Sequence, residues 1–186
     1  QAAAEALGQL GNPDTIPPLT EALADADEWV RRGAAESLDS QHWLPTSKAQ
    51  RARQLTVLGR WDALAELGEE ALPSLLDILK AGAPAERAGV IAALRGMPCE
   101  KAATVLVDCL RHDDASVRAA AARALDERKW NPVDIPTRAV LAIEAGRWEE
   151  LPALGSDAVK PLLDAIRRRT ENAAGAQPAV ATLGRL

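Results

Sequence analysis

Phenylalanine and tyrosine are absent from this chain of 186 residues, and five Trp are its only aromatics. Methionine occurs once, histidine and cysteine twice each. Each scarcity excludes something. A β-rich fold draws on aromatic and β-branched residues and avoids Ala, whereas 39 of these residues are Ala. A metal centre built on histidine needs two or more at fixed spacing, and His42 and His112 stand far apart in QHW and RHD contexts. Cys99 and Cys109 lack a CxxC spacing, so they read as small apolar residues of helices rather than as a disulfide, a metal site or a redox pair. No apolar run approaches the ~18 residues of a membrane span, and no signal peptide is visible. With net charge −5 and an isoelectric point near 5.2, the chain lacks the cationic surface of a nucleic-acid binder. The expectation is a cytoplasmic protein with no cofactor and no membrane contact, for which nucleic acid is a poor partner.

What is present is a duplication. Sliding the sequence by 87 residues aligns 30–80 with 117–167 without gaps, and 20 of the 51 positions are identical. Val30-Arg31 falls on Val117-Arg118, Trp43 on Trp130, Gly59-Arg60-Trp61 on Gly146-Arg147-Trp148, and Leu75-Leu76-Asp77 on Leu162-Leu163-Asp164. Within each copy the pattern is helix pairs. Residues 3–23 read as helix, Gly-Asn-Pro turn and helix, with Asp14 as N-cap and Pro17 and Pro18 in the first turn, where a missing N–H costs least. Asp27 caps the next helix. Its partner is delayed to 70–80, where Leu72, Leu75, Leu76 and Leu79 form one apolar stripe that Val159, Leu162, Leu163 and Ile166 repeat. Between the partners lies an insert with Ser47 as cap, a helix from Lys48, and a short helical turn at WDALAEL.

These motifs carry a family resemblance. DEWVRRGAAESL and DASVRAAAARAL resemble the DxxVRxxAAxAL first helix of HEAT-like repeats, in the form named after phycobilisome lyases. AAAEALGQLGNPDTIPPLTEAL is similar to that family's ALGxLGDPxAIxPLxxAL segment. The resemblance implies an all-α fold, an α-solenoid in which HEAT-like helix pairs wind into a right-handed superhelix. It implies one array over 1–186: two super-repeats, 1–87 and 88–174, and the first helix of a further repeat at 175–186. The Trp-containing insert departs from the family pattern, and the repeat that starts near Ala85 lacks the DxxVR opening. The family's Asp and Arg form ladders between repeats, which here would pair Asp27 with Arg31 and Asp114 with Arg118. Second helices of such solenoids line a concave face. The polar residues placed there are Glu21, Asp77, Lys80, Asp108, Arg111, Asp164, Arg167 and Arg168.

Chemistry is hard to find. The acidic pairs Glu69-Glu70, Asp113-Asp114 and Glu149-Glu150 stand at helix starts or turns, where negative charge suits the helix dipole. No GxSxG elbow and no phosphate-binding glycine loop occur. Deoxyhypusine hydroxylase, an enzyme on HEAT-like repeats, uses His-Glu pairs, and this sequence has none. Arg167-Arg168-Arg169 closes a helix, and it is the one feature that would suit the carboxylates of a tetrapyrrole in a phycobilin-lyase-like role. Charge is uneven: residues 1–87 hold 8 basic and 14 acidic groups, residues 88–186 hold 14 and 13. Trp43, Trp61, Trp130 and Trp148 recur at matched positions and read as anchors of each insert on its own repeat. Trp29 is matched by Ser116 and reads as a surface contact.

The functional expectation is therefore a scaffold that binds another protein, with no catalytic, metal or cofactor residues. A ligand-holding enzyme component is the alternative and nucleic-acid binding a distant third. The last residues, AVATLGRL, match AEALGQL near the start, so the array is expected to extend beyond both ends or to self-associate there. Light scattering across a concentration series should show apparent mass rising with concentration. A monodisperse monomer at every concentration would count against uncapped ends.

Overall fold

The computed structural model describes residues 13–169 and 173–184. Among them there are helices and no strand, so the fold class is all-α. The chain divides into two compact units, Gln1–Ala102 and Ala103–Leu186. In the first, after a short 3-10 turn at Pro13–Thr15, come α1 (Ile16–Ala22), α2 (Glu28–Ser40), α3 (Lys48–Val57), α4 (Trp61–Leu67), α5 (Leu72–Ala81) and α6 (Pro84–Gly96). Helix α7 (Glu100–Cys109) spans the division, and the second unit continues with α8 (Ala115–Glu127), α9 (Ile135–Ala145), α10 (Val159–Arg169) and α11 (Ala173–Leu183). The expected helix over 3–10 lies outside the described residues.

The 87-residue period recurs in the backbone. Helix α2 becomes α8, α3 becomes α9 and α5 becomes α10 under that shift. Every positive φ in the described chain obeys it too: Gly59 with Gly146, Gly68 with Gly155, and the non-glycine pair His42 with Lys129. The last pair ends α2 and α8 with a left-handed residue, which lets Trp43 N donate to Leu38 O and Trp130 N to Leu125 O, both at 3.0 Å. His42 is thus a helix terminator. An ion pair repeats as well: Arg60 grips both oxygens of Asp39 at 3.1 and 2.6 Å, and Arg147 Nη1 meets Asp126 Oδ1 at 2.9 Å.

Helix caps follow the sequence with one correction. Asp27, Ser47, Asp114 and Asp134 all accept from backbone N–H groups of the first turn. Asp14 is not the cap of α1. That position is Thr15, whose side chain makes no capping bond, because Pro17 and Pro18 occupy the two places whose N–H a cap would receive. The apolar stripe of α5 is also narrower than predicted. Leu72, Leu75 and Leu79 are buried, but Leu76 is 37% exposed, and its counterpart Leu163 is 39% exposed. The second insert differs from the first in its short turn. Residues Trp148–Ala158 are 3-10 where α4 is an α-helix, and Pro152, which replaces Ala65, removes an N–H that α-helical bonding would need.

Packing corrects the reading of the Trp anchors. Trp43 packs on the cluster of Leu19, Leu23, Ala34, Ala35 and Leu38, which joins its own repeat to the helix pair before it. Trp61 reaches forward instead. Its indole lies over Gly89 of α6, so closely that a Cβ there would overlap the ring. Trp148 packs on a cluster drawn mostly from its own repeat, Ala139, Ala142, Ile143, Leu151, Ala158, Leu162 and Ala165, to which Ala179 of α11 also belongs. Of the cysteines, both free, Cys109 is buried, and burial pushes its thiol up to about 12.

Gly89→Ala should lower stability by about 2 kcal/mol, because overpacking outweighs the ~1 kcal/mol gained in helix propensity. Most of that cost should vanish when Trp61 is already Leu. Urea denaturation of the four variants checks it, and an unchanged midpoint for Gly89→Ala alone would show that the ring gives way.

Candidate functional site

The residues expected to form ladders between repeats make mostly local bonds. Asp27 caps α2, and Arg31 Nη1 donates to Asp25 O and Ala26 O at 2.8 and 2.9 Å, pinning the loop before its own helix. Arg118 does the same to His112 O and Asp113 O, both at 2.8 Å, while Asp114 caps α8. His112 Nδ1 accepts from Asp114 N at 3.0 Å, a turn-forming role for that imidazole.

Arg118 has a further partner. Its Nε lies 3.2 Å from Glu144 Oε1, and both side chains are nearly sealed, at 5% and 3% exposure. Arg168 Nη2 approaches the same oxygen at 3.5 Å from a more open position. One carboxylate on α9 thus joins cations from α8 and α10. In the first copy Val57 occupies the place of Glu144, and Arg31 is only partly buried, so water can serve it there. Desolvation makes the second arrangement costly to break.

This network stands behind a cavity of about 740 Å³ in the second unit. Its apolar lining comes from Pro136, Val140 and Pro161, and its charged lining from Arg111, Lys160, Arg167 and Arg168 with Asp157 and Asp164. Four of the eight predicted second-helix candidates therefore come together here: Arg111, Asp164, Arg167 and Arg168. Arg167 and Asp164 also approach each other, at 3.9 Å. Asp108 is exposed on α7, while Glu21 on α1 and Asp77 and Lys80 on α5 are exposed in the first unit without lining this cavity. Lys160 and Asp157 were not foreseen from the sequence, because they lie on the first turn of α10 and just before it, positions that pattern reading assigns to capping.

The acidic pairs behave as partnered surface groups. Glu70 accepts from Lys48 at 2.9 Å, and that bond holds its carboxyl below the ordinary value. Glu69 meets Lys101 at 2.5 Å, which raises the lysine. Hydrogen bonds from Thr137 lower the carboxyl of Asp134. Trp29, the unmatched tryptophan, is 63% exposed at the start of α2.

Glu144→Leu leaves Arg118 as a buried cation without its carboxylate and should cost about 3 kcal/mol or more. Adding Arg118→Met should restore much of the loss. Chemical denaturation measures both, and a stability loss no larger than for a surface substitution would mean the pair is not desolvated.

The model for HEAT repeats matches residues 1–55 and 72–137. The chain is also 35% identical, over 123 residues, to the phycocyanobilin lyase subunit alpha of Picosynechococcus sp. (strain ATCC 27264 / PCC 7002 / PR-6). That match covers 66% of this chain and 41% of the relative, so the chain spans about two fifths of the relative's length. No solved structure matches. Helix pairs closed by repeated caps, an 87-residue period in sequence and backbone, and the family match agree: this chain belongs to the HEAT-repeat family of α-solenoid proteins.

Proposed function

We propose that the chain is a recognition scaffold that binds a protein partner and does no chemistry of its own. The observation that carries this reading is Trp29, exposed at the start of α2 where the other copy has Ser. A large apolar ring left in water gains when a partner covers it, and tryptophan is over-represented among residues that dominate interface energies. HEAT repeats supply the rigid frame. The similar protein from Picosynechococcus is itself described as a subunit, which fits a chain that works in an assembly. No helix among the described residues is long and apolar enough to cross a membrane. We place the scaffold in a reducing cytoplasm, which suits two free thiols.

A second reading makes the chain a ligand-holding component of a bilin-attaching enzyme. The 35% identity to a phycocyanobilin lyase subunit favours it. Co-expression with a bilin supply separates the two: bilin absorbance travelling with the purified chain supports the second reading, and a colourless chain with a stoichiometric protein partner supports the first.

For the scaffold, Trp29→Ala should leave the melting temperature nearly unchanged and weaken co-purification of the native partner about tenfold or more. Size-exclusion chromatography with light scattering, on wild type and variant, reads both. Equal retention of the partner would overturn the role of Trp29, and a large loss of stability would place it in the core.

A further inference from the structure

The two copies differ in charge where the cavity of the second unit lies. Arg111, Lys160, Arg167 and Arg168 line it, and the positions 87 residues earlier hold Ala24, Pro73, Lys80 and Ala81. Four cations in one copy correspond to one in the other. Asp157 and Asp164 offset two of them, so the lining keeps an excess of positive charge in a chain whose net charge is −5. The apolar lining is also specific to this copy, since Pro136 and Val140 correspond to Ala49 and Arg53.

A second difference supports the first. Arg168 does not project freely; it leans on Glu144, which is anchored from below by buried Arg118. Arginine loses side-chain entropy when it grips an anion, and a pre-set guanidinium loses less. Glu144 is present only in the copy that has Arg168, Val57 and Ala81 being the matched pair. The buried carboxylate and the arginine it holds thus occur together.

We infer that this cavity is a binding site for a small amphipathic organic anion, with an apolar body against Pro136, Val140 and Pro161 and its acidic group toward Arg111, Lys160 and Arg168. Its volume, about 740 Å³, lies within the ~300–1,000 Å³ range of small-molecule sites. Glu144 is a positioning residue: it touches no ligand and acts through Arg168. The site does not depend on the partner-docking reading, which rests on Trp29 in the other unit.

The test titrates the intact chain with 8-anilinonaphthalene-1-sulfonate, followed by fluorescence, beside the uncharged analogue N-phenyl-1-naphthylamine. One saturable site per chain is expected for the anion, with the neutral ring system bound about tenfold more weakly. Arg111 and Lys160 are exposed, so Arg111→Ala and Lys160→Ala should spare the fold and each weaken the anion about threefold. Arg168→Gln should do the same. Glu144→Gln should weaken it in the presence of Arg168 and add nothing once Arg168 is Gln, a coupling that general destabilisation would not produce. Equal affinity for charged and neutral probes would overturn the inference, as would anion binding unchanged in Arg111→Ala, Lys160→Ala and Arg168→Gln. If Glu144→Gln does not fold, those three substitutions still decide it. Trp29→Ala should leave probe binding as it is.

Discussion

Each helix in this chain can bury its apolar face only when a neighbour comes within reach, and small side chains set how near that neighbour comes. Ala34, Ala35, Ala121 and Ala122 are fully buried in the first helices of the two copies. Gly89 carries the principle furthest, since the Trp61 ring occupies the space of its missing Cβ. A fold assembled this way needs few large residues but tolerates little growth at its contacts. The scarcity of aromatics and the abundance of Ala are then two aspects of one packing scheme.

Duplication has left the frame intact and let the surfaces diverge. The frame consists of features that act through the backbone: caps at Asp27 and Asp114, left-handed residues at His42 and Lys129, glycines at matched turns, and the Arg60–Asp39 and Arg147–Asp126 pairs. Such features specify where helices start and stop and are insensitive to what the outer faces bind. Divergence falls outside that frame, at an exposed ring in one copy and a largely sealed charge network in the other. Trp29 marks the first copy, and the charged cavity with the Arg118–Glu144–Arg168 network marks the second. A repeat protein separates the two demands because each unit is stabilised by its immediate neighbours rather than by one central core.

Much of this was legible in the linear chain, and the misses have particular causes. Caps are local, so Asp27 and Ser47 could be named from their position before a helical run. Asp14 failed because it lies inside the 3-10 turn Pro13–Thr15, which moves the cap position of α1 to Thr15. Leu76 and Leu163 failed because a four-residue stripe on a helix is wider than the face its neighbours cover. The forward reach of Trp61 was invisible because a matched position says that a residue is used alike in both copies, not which neighbour it touches. Of the second-helix candidates, four of the five in the second unit converge on the cavity, Asp108 being the exception, and those of the first do not. Only the unlike residues around them, Val140, Lys160 and Glu144, make that difference.

By itself the sequence determined the helical class, the helix boundaries and the 87-residue period, since these depend on local periodicity, capping chemistry and self-similarity along the chain. The tertiary structure decided which repeat each tryptophan rests on, which arginine is sealed against Glu144, and that cations from α7's far end and α10 share one cavity. Those facts depend on the distance between residues remote in sequence, and that distance is set by how small side chains let helices approach. The shortage of aromatic residues was visible at once. What it makes room for, an indole seated on Gly89, required the fold.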